Sequence, residues 1–143
     1  MIIVNTDMKD QDFILSSDFD RKIFVTKLNL SIVLMENNAD NPWLILVPMV
    51  NNVIDLTDLS LDKQAELLSE INKCAKAIKE IYKPYKLNIA SLGNVTPQLH
   101  IHIQARFKND RHFPKPLFGL DANTFATKAL AQEQAALIKS KIL

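Results

Sequence analysis

Hydrophobic and polar positions divide the chain into several short apolar runs and two longer stretches of helical period. KIFVTKL (22–28) and LSIVLME (30–36) read as strands, rich in Ile, Val and Leu. The dense turn signal ENNADNP (36–42) separates them from WLILVPMV (43–50), a continuous apolar run expected of a central strand. That strand bulges or ends at Pro48, which has no ladder hydrogen to donate. Ser60 is suited to cap a helix, with Asp62 in its first turn where the dipole favours an anion. From there Ala65, Leu68, Ile71, Cys74 or Ala75, Ile78 and Tyr82 recur on one apolar face, and KPYK around Pro84 stops the helix. LNIASL and QLHIHIQARF are two further strands, joined by the turn GNVTP. After the two-proline loop NDRHFPKPLFGL, a last helix spans about 124–142, with Leu130, Leu137 and Ile138 placed to dock on the domain or on a dimer mate. Residues 1–20 carry acidic turn-like clusters, DMKDQD and SSDFD, and an amphipathic turn or short helix near Phe13–Leu15.

Tight turns between the early strands imply antiparallel pairing, and a helix between the third and fourth must cross one face of the sheet. The pattern therefore predicts one α+β domain: an antiparallel sheet of about five strands, a crossover helix and a C-terminal helix. A chain of 143 residues buries roughly 70% of its unfolded surface and needs no disulfide or metal to fold. Seventeen basic residues nearly cancel sixteen acidic ones, and no basic tract suggests a nucleic-acid partner. No apolar run reaches the ~20 residues of a membrane span, and the first ten residues turn acidic too early for a signal peptide. The single cysteine, Cys74, reads as a small buried hydrophobe and fits a reducing, cytoplasmic setting.

The candidate chemistry lies in QLHIHIQARF (98–107). Alternation places His100, His102, Gln104 and Arg106 on one face, and Leu99, Ile101, Ile103, Ala105 and Phe107 on the other. The apolar set is expected to face the core under the long helix, and the polar set a groove or solvent. The chain's two glycines, Gly93 and Gly119, flank this region, and Asn94 beside the first is placed to offer its amide to a phosphate. Three readings compete for the histidines. They decorate a surface strand, chelate a metal, or attack phosphorus as neutral imidazoles to form a phosphoramidate. Metal lacks convincing third and fourth ligands: His112 and Cys74 lie elsewhere, and Gln104 is a poor ligand. For attack, Gln104, Arg106 and backbone N–H groups could stabilise the developing charge.

QLHIHIQ resembles the signature of the histidine-triad superfamily, in which three histidines alternate with apolar residues. LILVPMV resembles that family's strand ending in Val/Ile-Pro, the helix from Ser60 its central helix, and HFPKPLFG a segment that follows the triad in several branches. The resemblance covers roughly residues 22–119 and is nearest to short bacterial histidine-triad domain proteins. It implies a homodimeric nucleotidyl hydrolase or transferase acting at the α-phosphate of a nucleotide conjugate, with no cofactor or metal. It makes His102 the nucleophile, His100 its orienting partner and Gln104 a phosphate donor.

The sequence also departs from the family. Gln104 stands where hydrolases carry the third histidine, as in the galactose-1-phosphate uridylyltransferase branch, and it cannot shuttle a proton. Trp43 stands where another histidine is expected, reading either as core or as a base-stacking platform. Met49 replaces a basic residue. Glu36 is left as the candidate for the ribose hydroxyls. His112, in the loop, is either an exposed residue or a late-stage acid at the mouth of the site. A nucleotide-binding protein that has lost turnover, and a His-x-His metal protein, remain as alternatives.

Overall fold

The computed structural model describes residues 12–143 and the backbone of Ile3–Val4. Five antiparallel strands form the main sheet: β3 (Ile23–Lys27), β4 (Ser31–Met35), β5 (Trp43–Pro48), β6 (Lys86–Ala90) and β7 (Ile101–Arg106). Their spatial order is β3-β4-β5-β7-β6, and all four pairings are antiparallel. Between β5 and β6 the helix α1 (Leu61–Tyr82) crosses the sheet, and α2 (Lys128–Ile142) closes the chain. The α+β architecture expected from the pattern is the one found.

The local signals act as the sequence implies. Ser60 caps α1 by accepting the Lys63 N–H, and the helix ends with Lys83 in the left-handed region just before Pro84. β5 ends at Pro48. All the residues of β4 and β5 are buried, because each face of the sheet is covered. On one face Val33, Met35, Leu44, Leu46, Ile101, Ile103 and Ala105 pack against α1 and α2, with Cys74 and Ile78 fully enclosed. On the other, Ile32, Leu34, Trp43, Ile45 and Val47 meet Phe13, Leu15, Phe19, Met49 and Leu117.

Three expectations are corrected. Phe13–Ile14 is not an amphipathic turn or short helix but a strand, β2, paired antiparallel with β1 (Ile3–Val4). Its period is two: Phe13 and Leu15 are buried while Ile14 is exposed. The cluster DMKDQD lies almost wholly outside the described residues. The last helix starts at Lys128, not Thr124, because the Thr127 hydroxyl caps it by accepting the Leu130 N–H. The Phe125 N–H is meanwhile committed to Asn37 Oδ1 at 3.0 Å. Finally, α2 docks through Ala131, Ala135, Ile138 and Ile142, leaving Leu130 and Leu137 45% and 41% exposed. Small alanines allow close approach to α1, so the seam runs one residue away from the leucines.

This seam sets a test. Ile138→Ala should cost about 2–5 kcal/mol in urea unfolding, as deletion of a fully enclosed side chain does. Leu137→Ala should cost less than about 1 kcal/mol, the range of partly exposed positions.

Candidate functional site

The site is built on β7 and the strand beside it. Register places Trp43 opposite Gln104 and Ile45 opposite His102, so these side chains share a face. The polar face of β7 does not look onto solvent, contrary to the sequence expectation: His100, His102, Gln104 and Arg106 are 7%, 8%, 1% and 1% exposed. The physical reason is the second apolar layer. The N-terminal segment folds over this face, held by Gln98, whose amide donates to Ile14 O and accepts from Ser16 N–H, both at 2.9 Å. Phe19 then meets the His100 ring edge-on at 5.1 Å, and Phe118 meets His102 at 4.9 Å.

The two imidazoles lie 4.8 Å apart, ring centre to ring centre, at 75°. Each has one nitrogen engaged. His100 Nδ1 lies 2.7 Å from the Gln98 carbonyl, which only accepts, so that nitrogen carries the proton. Trp43 Nε1–H donates to His102 Nδ1 at 3.0 Å. Burial first, then the neighbouring His100 and Lys22 charges, pull the His102 pKa down to about 4, so it is neutral at pH 7. Among the described residues, the buried polar side-chain atoms without a partner are Ser31 Oγ, Glu70 Oε2 and Gln104 Nε2.

The other expected site residues fare differently. Gln104 lies beside the pair on the same face, but its amide nitrogen is enclosed and unpartnered. Arg106 is taken by structure: it grips Asp110 through Nε at 3.0 Å and Nη2 at 3.2 Å, and Asn88 through Nη1 at 2.9 Å. Asp110 also accepts the backbone N–H groups of Phe107, His112 and Phe113 and the Asn41 amide. Burial alone would raise its pKa, but these bonds hold it well below the usual carboxylate range. Glu36 is held by Lys22 Nζ at 2.8 and 2.6 Å. Asn94 is exposed in the turn after Gly93. His112 Nε2 bonds the Asp121 carbonyl at 2.7 Å and stands 3.5 Å from its carboxylate, which ties it within its own loop. Met49 is buried in the apolar layer.

Sequence reasoning missed Lys22. Its charge bears on His102, and it supplies a cation where Met49 does not. The signal was present: Ile23 pairs with Met35, so a lysine one residue earlier faces Glu36 across the hairpin. Trp43 was read as core or as a stacking platform, whereas it is also the hydrogen-bond partner of His102. No group of three or more His, Cys, Asp or Glu suited to a metal occurs among the described residues. Burial, then the Glu70 charge, pushes the Cys74 thiol up to about 12, which leaves it inert as a nucleophile.

Comparison with known proteins agrees with this fold. The family model described as HIT domain matches residues 20–109. A histidine triad protein from Bradyrhizobium japonicum is 38% identical with a TM-score of 0.86, covering 92% of this chain and 98% of that one. One from Sinorhizobium meliloti is 32% identical, TM-score 0.86, over 90% and 96%. In sequence, the AP-4-A phosphorylase of Mycobacterium tuberculosis is 28% identical over 79 residues, 51% of this chain and 40% of that protein. The match thus spans about two-fifths of that relative's length.

Acid should destabilise the fold in two separable steps. An unfolded histidine takes its proton near pH 6.5, whereas folded His102 takes it only at about 4. Its stabilising contribution is full above 6.5 and is lost as pH falls to 4, at most ~3 kcal/mol. Asp110, with its pKa depressed, contributes fully above the ordinary value of 3.8 and loses that contribution only at lower pH. Urea unfolding at pH 7, 5 and 4 should therefore show a slope that His102→Gln flattens. Asp110→Asn should cost about 3–5 kcal/mol already at pH 7, the range for breaking a buried ion pair.

Proposed function

The chain belongs to the HIT domain family, matched over residues 20–109, and from that premise we propose that it is a nucleotidyl hydrolase or transferase. It acts at the α-phosphate of a nucleotide conjugate through a covalent nucleotidyl-histidine. The observation that carries this reading is the pair of imidazoles 4.8 Å apart, each with its Nδ1 engaged, beside the Lys22 ammonium whose charge bears on His102. Two heterocycles at that spacing can bear on one phosphate: one nitrogen attacks, a second donates to a phosphate oxygen, and the ammonium offsets charge. The family resemblance gives the attack to His102 and the orienting role to His100. The nucleotide named in the AP-4-A phosphorylase relative makes dinucleoside polyphosphates the first substrates to try. No metal is needed for this chemistry.

A second reading, nucleotide binding with little turnover, is favoured by one observation: the amide nitrogen of Gln104, at the third triad position, is enclosed. Family likeness supports a homodimer, and the free edge of β6 with exposed Ile89 is compatible with one. Sedimentation equilibrium decides that point. No helix among the described residues is long and apolar enough to cross a membrane, and we place the protein in the cytoplasm.

Incubation with α-phosphate-labelled diadenosine and diuridine polyphosphates tests the function. The wild type should acquire acid-labile, base-stable label, and the double variant His100→Ala/His102→Ala should turn over at below about one hundredth of the wild-type rate. Tight nucleotide binding by both proteins with no label on either would establish the non-enzymatic reading instead.

A further inference from the structure

We propose that the cavity between the β4–β5 turn, the end of α1 and the start of α2 is a second binding site, for an uncharged small molecule with an apolar ring and a carboxamide-like group, and that its occupant acts on His102 through Trp43. This goes beyond the function proposed above and does not rest on it. The cavity measures about 410 Å³, within the range of sites that enclose a small ligand. It is separate from the histidine site. Met35, Tyr82 and Phe125 of its lining belong to the core under α1 and α2, on the sheet face opposite the two imidazoles. Hydrogen bonds hold its walls in place. The segment leading into α2 is strapped to the β4–β5 turn: Ala39 N–H donates to Asn123 O at 2.7 Å. The Asn123 backbone and amide N–H groups donate to Asp40 at 2.9 and 3.0 Å, and Phe125 N–H donates to Asn37 Oδ1 at 3.0 Å. Asn38 Oδ1 stiffens the turn by accepting from the N–H groups of Asp40 and Asn41, both at 2.9 Å. The cavity is thus formed before a ligand arrives, which spares the ligand the cost of ordering it.

The lining decides what fits. Met35, Phe125 and Leu130 make an apolar wall, and an apolar ring displaces water from such a surface favourably. No side chain of the lining is charged at pH 7, and burial pushes the Tyr82 phenol further from ionisation. An anion such as a nucleotide phosphate would enter without a counter-charge, which is a costly transfer. Polar groups line the cavity as well. Tyr82 O–H donates to Gln134 Oε1 at 2.7 Å, and the same amide carries two hydrogens on Nε2. Asn38, its oxygen committed to the turn, has its amide nitrogen as a donor. Amide donors suit a ligand carbonyl, and the phenol oxygen, which still accepts, suits a ligand N–H. A carboxamide offers both. Trp43 connects this cavity to the other face. It belongs to the lining and donates through Nε1 to His102 Nδ1 at 3.0 Å. A ligand that shifts Trp43 alters that bond, and by reciprocity a change at His102 is felt in the cavity.

NMR titration of the 15N-labelled full chain at pH 7 tests this, with 2-phenylacetamide as the probe and phenylacetate as its charged counterpart of similar shape. The amide should move the Gln134 side-chain N–H signals saturably, together with the Trp43 Nε1–H signal, and phenylacetate should bind about tenfold more weakly or worse. Gln134→Leu, which keeps the bulk and removes the amide, should weaken binding about three- to tenfold. Leu130→Trp, at a position 45% exposed, should fill the space and remove binding while the urea midpoint stays that of the wild type. The wild-type titration decides the site without any variant having to fold. No saturable shift at Gln134, equal binding of the two probes, or shifts confined to His100 and His102 overturns the site. Saturable shifts at Gln134 with Trp43 unmoved overturn its link to His102.

Discussion

Everything in this site depends on one constraint: the strand β7 is buried on both faces, yet one face carries polar side chains at every second position. A polar group taken from water must find a partner or cost several kcal/mol. The strand meets this demand residue by residue. Gln98 reaches the N-terminal segment, His100 reaches the Gln98 carbonyl, His102 takes the Trp43 indole, and Arg106 takes Asp110 and Asn88. Only Gln104 leaves an amide nitrogen unmatched. Roles along the strand follow from those pairings. Arg106, with its Nε, Nη1 and Nη2 engaged, is a structural clasp; the histidines, each with its Nδ1 committed, are the pair proposed to react.

The strands, α1 and its cap were legible because they rest on local rules. Periodicity, a Ser at the N-cap and a Pro after the last turn act within a few residues of chain. The site face was legible for the same reason, since alternation alone groups His100, His102, Gln104 and Arg106. What could not be read was the cover over that face. Phe13, Leu15 and Phe19 belong to a segment whose pattern is too short to distinguish a strand from a turn, and its position depends on Gln98, more than 80 residues away. The alternative in which this face meets open solvent fails at that point. The docking seam of α2 was misplaced for a related reason: its buried residues include two alanines, which hydrophobic patterning weighs less than leucines although they permit closer approach.

The substitutions that set this chain apart from the family pattern are coupled. A histidine at position 43 could donate or accept toward His102 and could leave its Nδ1 proton in place. A tryptophan can do only one of these, so Trp43 changes the chemistry of a residue it merely touches. Met49 offers no basic group, but Lys22, just before β3, brings a cation whose charge bears on His102. That cation is not free. Glu36 grips it with both carboxylate oxygens, which reduces its field and fixes its position.

In the proposed reaction, a neutral His102 beside a paired lysine would hold a polyphosphate differently from a cluster of bare cations. Free cations would bind the ground-state anion strongly, and such uniform binding contributes nothing to the chemical step. In the reaction proposed above, the attacking ring gains its positive charge as the P–N bond forms, so the largest favourable charge at the phosphorus arises after the ground state has been left. The layer of Phe19 and Phe118 around the rings lowers the local dielectric and strengthens that late attraction. It also disfavours protonating His102 beforehand, as its depressed pKa records. In that proposal the apolar cover that sequence patterning missed becomes part of the chemistry, because it keeps His102 neutral and packs Trp43 against it.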